Sequence, residues 1–122
     1  MMRRLTIACC LMMSPGVALA GDPTGVWVRD NGEAKLRFAP CGANFCGTII
    51  WVKDPARQKD VGVRAFWNMA ANGANSWKGQ AFNPLDGQNY VGKLELSGST
   101  LTTYGCVMGG MMCKSMVWQR SQ

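Results

Sequence analysis

Trp77-Lys-Gly79-Gln-Ala-Phe82-Asn83-Pro84-Leu-Asp86-Gly87-Gln-Asn-Tyr90-Val-Gly92-Lys93-Leu94 reads as two β-strands joined by a tight turn. Pro84 presets the first central position of that turn, and Asp86-Gly87 supplies residues that tolerate positive φ. Beyond the turn, Tyr90, Gly92, Leu94 and Leu96 fall on one face and Val91, Lys93 and Glu95 on the other. This is the period of two of a half-buried strand. Gly79 and Gly92 inside the strands suggest bulges or sharp bends, as at the corner of a small barrel.

Working outward, the same pattern recurs. Gly25 to Arg29 is a strand ending at Asp30-Asn31-Gly32, a strong hairpin signal. Ala34 to Ala39 follows, with Leu36 and Phe38 on one face, and Pro40 to Asn44 turns the chain. Phe45 to Val52 is nearly continuously apolar, so both of its faces are at least partly covered. Ala56 to Asp60 is polar and reads as loop, as does the Asn-, Gly- and Ala-rich tract Asn68 to Ser76. Val61 to Met69 fits a strand, a helical turn or a lid. After the 77–96 hairpin, Ser99 to Gly105 and Lys114 to Arg120 are further strands. About seven or eight short strands with hairpin-sized connections predict an all-β, single-domain, antiparallel up-and-down barrel, in which the first strand pairs with the last and no edge is left.

The first twenty of the 122 residues read as a cleaved secretory signal peptide: basic Arg3-Arg4, an apolar run from Leu5 to Met13, and Ala18-Leu19-Ala20 before Gly21. The run is too short for a permanent bilayer anchor. Cys9 and Cys10 lie too early in it to be convincing lipid-attachment sites. The expected product is an exported, periplasmic or secreted domain over residues 21–122. Four cysteines remain, and in an exported chain they read as two disulfides. Cys41 with Cys46 and Cys106 with Cys113 is the favoured pairing, because each pair brackets a hairpin loop. Loss of Arg3 and Arg4 lowers the net charge from +6 to +4, and the remaining basic residues form no stripe. That argues against a nucleic-acid partner. The chain has no histidine, which removes the commonest general base and zinc ligand.

Several short motifs run through the chain: Ala39-Pro40-Cys41-Gly42, Cys46-Gly47-Thr48-Ile49 with Trp51, Trp77-x-Gly79, and Asn83-Pro84-x-Asp86-Gly87-x-x-Tyr90-x-Gly92-Lys93-Leu94. Gly105-Cys106, Cys113 and Trp118-x-Arg120 complete the set. Together they resemble a bacterial exported family known as domain of unknown function 2147, over about residues 25–120. The resemblance implies a calycin-type barrel, related in shape to the lipocalins. It also implies that Gly25-x-Trp27 is the first-strand lipocalin motif, with Arg120 packing on Trp27 as a structural lock at the closed end. The family carries no agreed activity.

An eight-stranded barrel is just wide enough to be filled by side chains or to hold one small ligand. Leu36, Phe38, Trp51, Phe66, Trp67, Trp77, Phe82 and Tyr90 are the candidate lining. The same residues can simply fill the core, and small barrels commonly pack their interiors. Ligand binding, to a small apolar or amphipathic molecule, is the leading function; a cell-envelope interaction module acting through its surface is the alternative. Met108, Met111 and Met112 offer a second alternative, soft thioether ligands for Cu(I), though a disulfide-closed loop with methionines over apolar surface accounts for them better. No other metal or cofactor is expected. Pro84 and Gly87 are assigned to turn structure, and Asp86 with them. Asp54 before Pro55 reads as a turn cap. With no nucleophile elbow and no histidine, the chain is not expected to be an enzyme.

Overall fold

The structure is a computed structural model that describes residues 21–121. The expected signal peptide, with Cys9 and Cys10, lies outside the described residues, as does Gln122. Eight strands form one closed barrel: β1 (Gly25–Arg29), β2 (Ala34–Cys41), β3 (Asn44–Val52), β4 (Arg64–Ala71), β5 (Ser76–Asn83), β6 (Gln88–Ser97), β7 (Thr100–Val107) and β8 (Met112–Arg120). Every neighbouring pair is antiparallel and sequential, and β1 closes on β8 through Trp27 opposite Arg120 and Arg29 opposite Trp118. Closure leaves no strand edge for another chain to extend.

The 77–96 hairpin pairs Trp77 with Leu94, Gly79 with Gly92 and Ala81 with Tyr90. Its turn is wider than a two-residue loop: the Gly87 N–H donates to the Asn83 carbonyl at 2.8 Å. Gly87 takes a φ of +69°, and the Asp86 carboxylate accepts from the Gln88 N–H at 2.9 Å. Both glycines of the hairpin strands answer to close backbone approach. A Cβ on Gly79 would stand 2.5 Å from the Asn68 carbonyl oxygen, and one on Gly92 3.0 Å from that of Gln80.

Two segments differ from their sequence reading, and a third, left open there, is settled. Residues 55–60 form a 3-10 turn, because the Asp54 carboxylate caps the Ala56 N–H at 2.9 Å and Pro55 supplies a preset first position. The ambiguous 61–69 segment resolves into the start of β4 from Arg64. That strand then runs on to Ala71, through the tract read as loop. Asn68 makes this possible by taking a φ of +54° at a register shift between Trp67 and Ala70, a conformation that asparagine tolerates.

Antiparallel alternation puts the loops at two ends. The base carries Pro23-Thr24 ahead of β1, the β2–β3, β4–β5 and β6–β7 connections, and the end of β8. The rim carries the β1–β2 turn, the 53–63 connection, the β5–β6 turn at 84–87 and the β7–β8 loop at 108–111. Cys41–Cys46 staples the β2–β3 hairpin at the base, and Cys106–Cys113 staples the β7–β8 hairpin at the rim.

Candidate functional site

Inward-facing residues from all eight strands fill the middle and base of the barrel. Leu36, Phe38, Phe66 and Trp77 are buried in one cluster with Trp27, Ile49, Met69, Leu94, Leu101 and Trp118. Phe38 and Phe66 meet at 5.7 Å between ring centroids, and Phe45 meets Trp77 edge-on at 6.3 Å. Tyr90 is half-buried and packs against this cluster.

Three of the expected lining residues stand outside it. Trp51 is 41% exposed and stacks under the Lys35 ammonium at 5.2 Å. A bulge explains this: Leu36 pairs with Ile49 but Lys35 with Trp51, so one extra β3 residue turns Trp51 outward. Trp67 follows inward Phe66, and Phe82 follows inward Ala81. Neighbouring strand residues face opposite sides, so both point out. Phe82 in particular cannot share a face with Trp77, five positions away.

The base is closed. Pro23 and Trp27 are fully buried, and the Trp27 indole N–H donates to the Pro23 carbonyl at 2.9 Å. The Arg120 guanidinium lies 4.3 Å from the Trp27 ring centroid and donates to the Thr24 carbonyl at 2.8 Å. This is the cation–π lock expected from Gly25-x-Trp27. Higher in the barrel, the buried Trp118 N–H donates to the buried Thr103 hydroxyl at 3.0 Å.

The interior loosens toward the rim. Ala34, Val52, Val63, Tyr90 and Met116 pack on the core there but are only partly buried. Arg29 sits among these elements. It pairs with Trp118 across the β1–β8 seam, and its guanidinium carbon stands 5.9 Å from the Trp118 ring centroid. Its Nε is buried and makes no hydrogen bond. The Asp30 carboxylate is 3.6 Å from that nitrogen, beyond hydrogen-bond reach. A buried donor whose ion-pair partner stands too far away to accept its hydrogen bond is the kind of group that calls for an explanation. The sequence reading passed over Arg29, although its parity with inward Trp27 was the available signal.

Around the rim, the Tyr90 hydroxyl donates to the Asp86 carboxylate. This bond, with the Gln88 N–H, holds the Asp86 carboxyl below its usual range, and the same bond pushes the Tyr90 phenol up. Arg57 and buried Asp60 form an ion pair at 2.8 Å on the 3-10 turn. Met108, Met111 and Met112 are exposed on the β7–β8 loop, and the adjacent Cys106 and Cys113 are joined to each other as a disulfide. On the outer wall a groove of about 300 Å³ lies between Arg37 and Arg64, beside Cys41–Cys46. A second of about 350 Å³ lies between Gln80 and Met108.

Residues 25–120 match a family described as "Uncharacterized protein conserved in bacteria (DUF2147)". Among solved structures, the chain is similar to protein HP1028 from Helicobacter pylori, described as belonging to the lipocalin family. The two share 17% identity over 83% of this chain and 84% of that one, with a TM-score of 0.65. This likeness is one of fold. No curated protein matches the chain.

Proposed function

The chain belongs to the DUF2147 family of bacteria and has a lipocalin-like barrel, and from that premise we propose that it is a non-enzymatic carrier whose rim binds a small amphipathic molecule with an anionic head. The head group pairs with Arg29. The apolar body lies over Met116, Val52 and Ala34, in the part of the interior that side chains leave only partly covered. Trp118 forms the floor beneath the cation. The single observation that carries this reading is the buried Arg29 Nε, which makes no hydrogen bond and has only the distant, exposed Asp30 carboxylate opposite it. A carboxylate or phosphate would satisfy it with a charge-assisted hydrogen bond, worth more than a neutral one.

Because Trp27, Phe38, Leu36 and Leu94 are fully buried in the middle of the barrel, the ligand is held shallowly and not deep inside. Export fits the disulfide framework, which persists in oxidising compartments. Among the described residues no helix is long and apolar enough to cross a membrane. We place the carrier in the periplasm. Titration of the protein with decanoate, followed by tryptophan fluorescence, tests the site. Saturable quenching or enhancement that Arg29→Met abolishes supports it. A flat titration, or an unchanged affinity in Arg29→Met, overturns it.

A further inference from the structure

Among the described residues, six large apolar side chains are exposed: Trp51, Leu85, Val107, Met108, Met111 and Met112. All six lie toward the rim end of the barrel. Five of them crowd onto two adjacent hairpin tips, the β5–β6 turn and the β7–β8 loop, because β6 and β7 are neighbours in the sheet. Met108, Met111 and Leu85 are 68%, 83% and 65% exposed. From Leu96 to Cys113 the chain has no charged residue. Such concentrated exposure marks an interaction surface.

We infer that these tips form a reversible membrane-docking surface that inserts between the headgroups of an anionic lipid bilayer. Three observations favour a bilayer over a folded partner. Leu85, Met111 and Met112 sit at hairpin tips, and only Val107 and Met108 line the shallow groove beside them, so most of the apolar surface suits a soft medium. Methionine side chains are unbranched and adaptable, which suits a fluid contact more than a fixed one. The charge-free loop is bordered by lysines. Lys114 follows Cys113 directly, and the Lys93 ammonium lies 3.6 Å from where a Gly110 Cβ would stand. Their stems can lie along the apolar tip while the ammonium groups meet lipid phosphates. The carboxylate on the adjacent turn, Asp86, is engaged by the Tyr90 hydroxyl. Cys106–Cys113 holds the loop closed, so little conformational freedom is lost on insertion. Docking at this end would present the Arg29 mouth to the lipid surface, but it needs no ligand there. Its failure is therefore distinguishable from failure of decanoate binding.

The test is co-sedimentation with vesicles made from equal parts phosphatidylglycerol and phosphatidylcholine, and with vesicles of phosphatidylcholine alone. The expected result is binding to the anionic vesicles that weakens with added salt. Met108→Ser/Met111→Ser/Met112→Ser lowers the partition about tenfold or more. Lys93→Gln/Lys114→Gln lowers it about tenfold on anionic vesicles only. Arg37→Gln, exposed on β2 beside the base disulfide Cys41–Cys46, changes nothing. Thermal melts of each variant report folding, and the serine changes fall on an exposed loop. Wild-type protein that stays in the supernatant overturns the docking surface, as does a triple variant that binds as well as wild type. A wild-type dimer that the triple variant makes monomeric, without vesicle binding, also overturns it and assigns the tips to a second copy.

Discussion

Arg29 and Trp118 face each other across the strand pair that closes the barrel, with the guanidinium carbon 5.9 Å from the indole centroid. The contact places a cation over an aromatic floor near the rim residues Ala34, Val52 and Met116, which are only partly buried. It gives the guanidinium cation–π support but leaves Nε without a hydrogen bond.

An arginine kept for binding should be dispensable for folding. A buried Nε without a hydrogen bond costs about 1–3 kcal/mol, while the cation–π contact returns about 0.5–1 kcal/mol and the exposed ion pair with Asp30 about 0–1 kcal/mol. Arg29→Met is therefore expected to leave stability unchanged or raise it by about 1 kcal/mol. Urea unfolding checks this. A clear loss of stability would mean that Arg29 is a structural residue.

Arg120 is the opposite case. It caps Trp27 at 4.3 Å and donates to the Thr24 carbonyl at 2.8 Å. Arg120→Ala should destabilise by about 1–3 kcal/mol, from the cation–π contact and a lost hydrogen bond to the segment ahead of β1. Arg120→Lys should recover only part of this, because the ammonium lacks the planar fork. Chemical denaturation of the three proteins measures the series.

Gly79→Ala should be among the most damaging single-methyl changes. The added Cβ would meet the Asn68 and Trp67 carbonyl oxygens at 2.5 and 2.6 Å, and backbone cannot yield as a flexible side chain can. A loss of about 1–3 kcal/mol is expected from overpacking. Gly105→Ala, with Tyr90 ring atoms at 3.5 Å or more, should be mild by comparison.

The chain has two tyrosines, and both titrate high. Tyr90 donates to Asp86 and Tyr104 donates to Glu95 at 2.9 Å, so each carboxylate favours the protonated phenol. An absorbance titration should show both phenols ionising above the usual midpoint of about 10. A phenol raised on folding contributes stability that is present below its unfolded pKa and lost as pH rises through the folded value. Stability should therefore fall only on the alkaline side of pH 10. For Asp86 the sign reverses: its lowered carboxyl contributes above its unfolded pKa and loses that contribution as pH falls through the lower folded value. Tyr90→Phe should remove the Tyr90 titration and weaken the Asp86 effect, leaving the part that comes from the Gln88 N–H.

How far the sequence reveals the fold follows from what each signal encodes. Alternation around Asp86-Gly87 identified the β5–β6 hairpin and placed Tyr90, Gly92 and Leu94 inside, because a regular strand converts parity directly into facing. Cysteine positions gave both disulfides, because each pair brackets one hairpin. Parity failed where the ladder breaks. The β3 bulge turns Trp51 outward, and the Asn68 kink hid the second half of β4. Phe82 and Trp67 were chosen for being aromatic, although parity with Ala81 and Phe66 placed them outside. Arg29 was legible by parity with Trp27, but its missing hydrogen bond is a property of the packed rim, which no local pattern records.

The central claim is that Arg29 receives the head group of an amphipathic ligand. Its most direct test is a proton–nitrogen NMR spectrum of the arginine side chains, recorded while decanoate is added. The account predicts a large, saturable shift of the Arg29 Nε–H resonance, accompanied by the Trp118 indole N–H and not by the Arg37 or Arg64 side chains. An unmoved Arg29 resonance, with the shifts on Arg37 and Arg64 instead, would contradict it and move the site to the outer groove beside Cys41–Cys46.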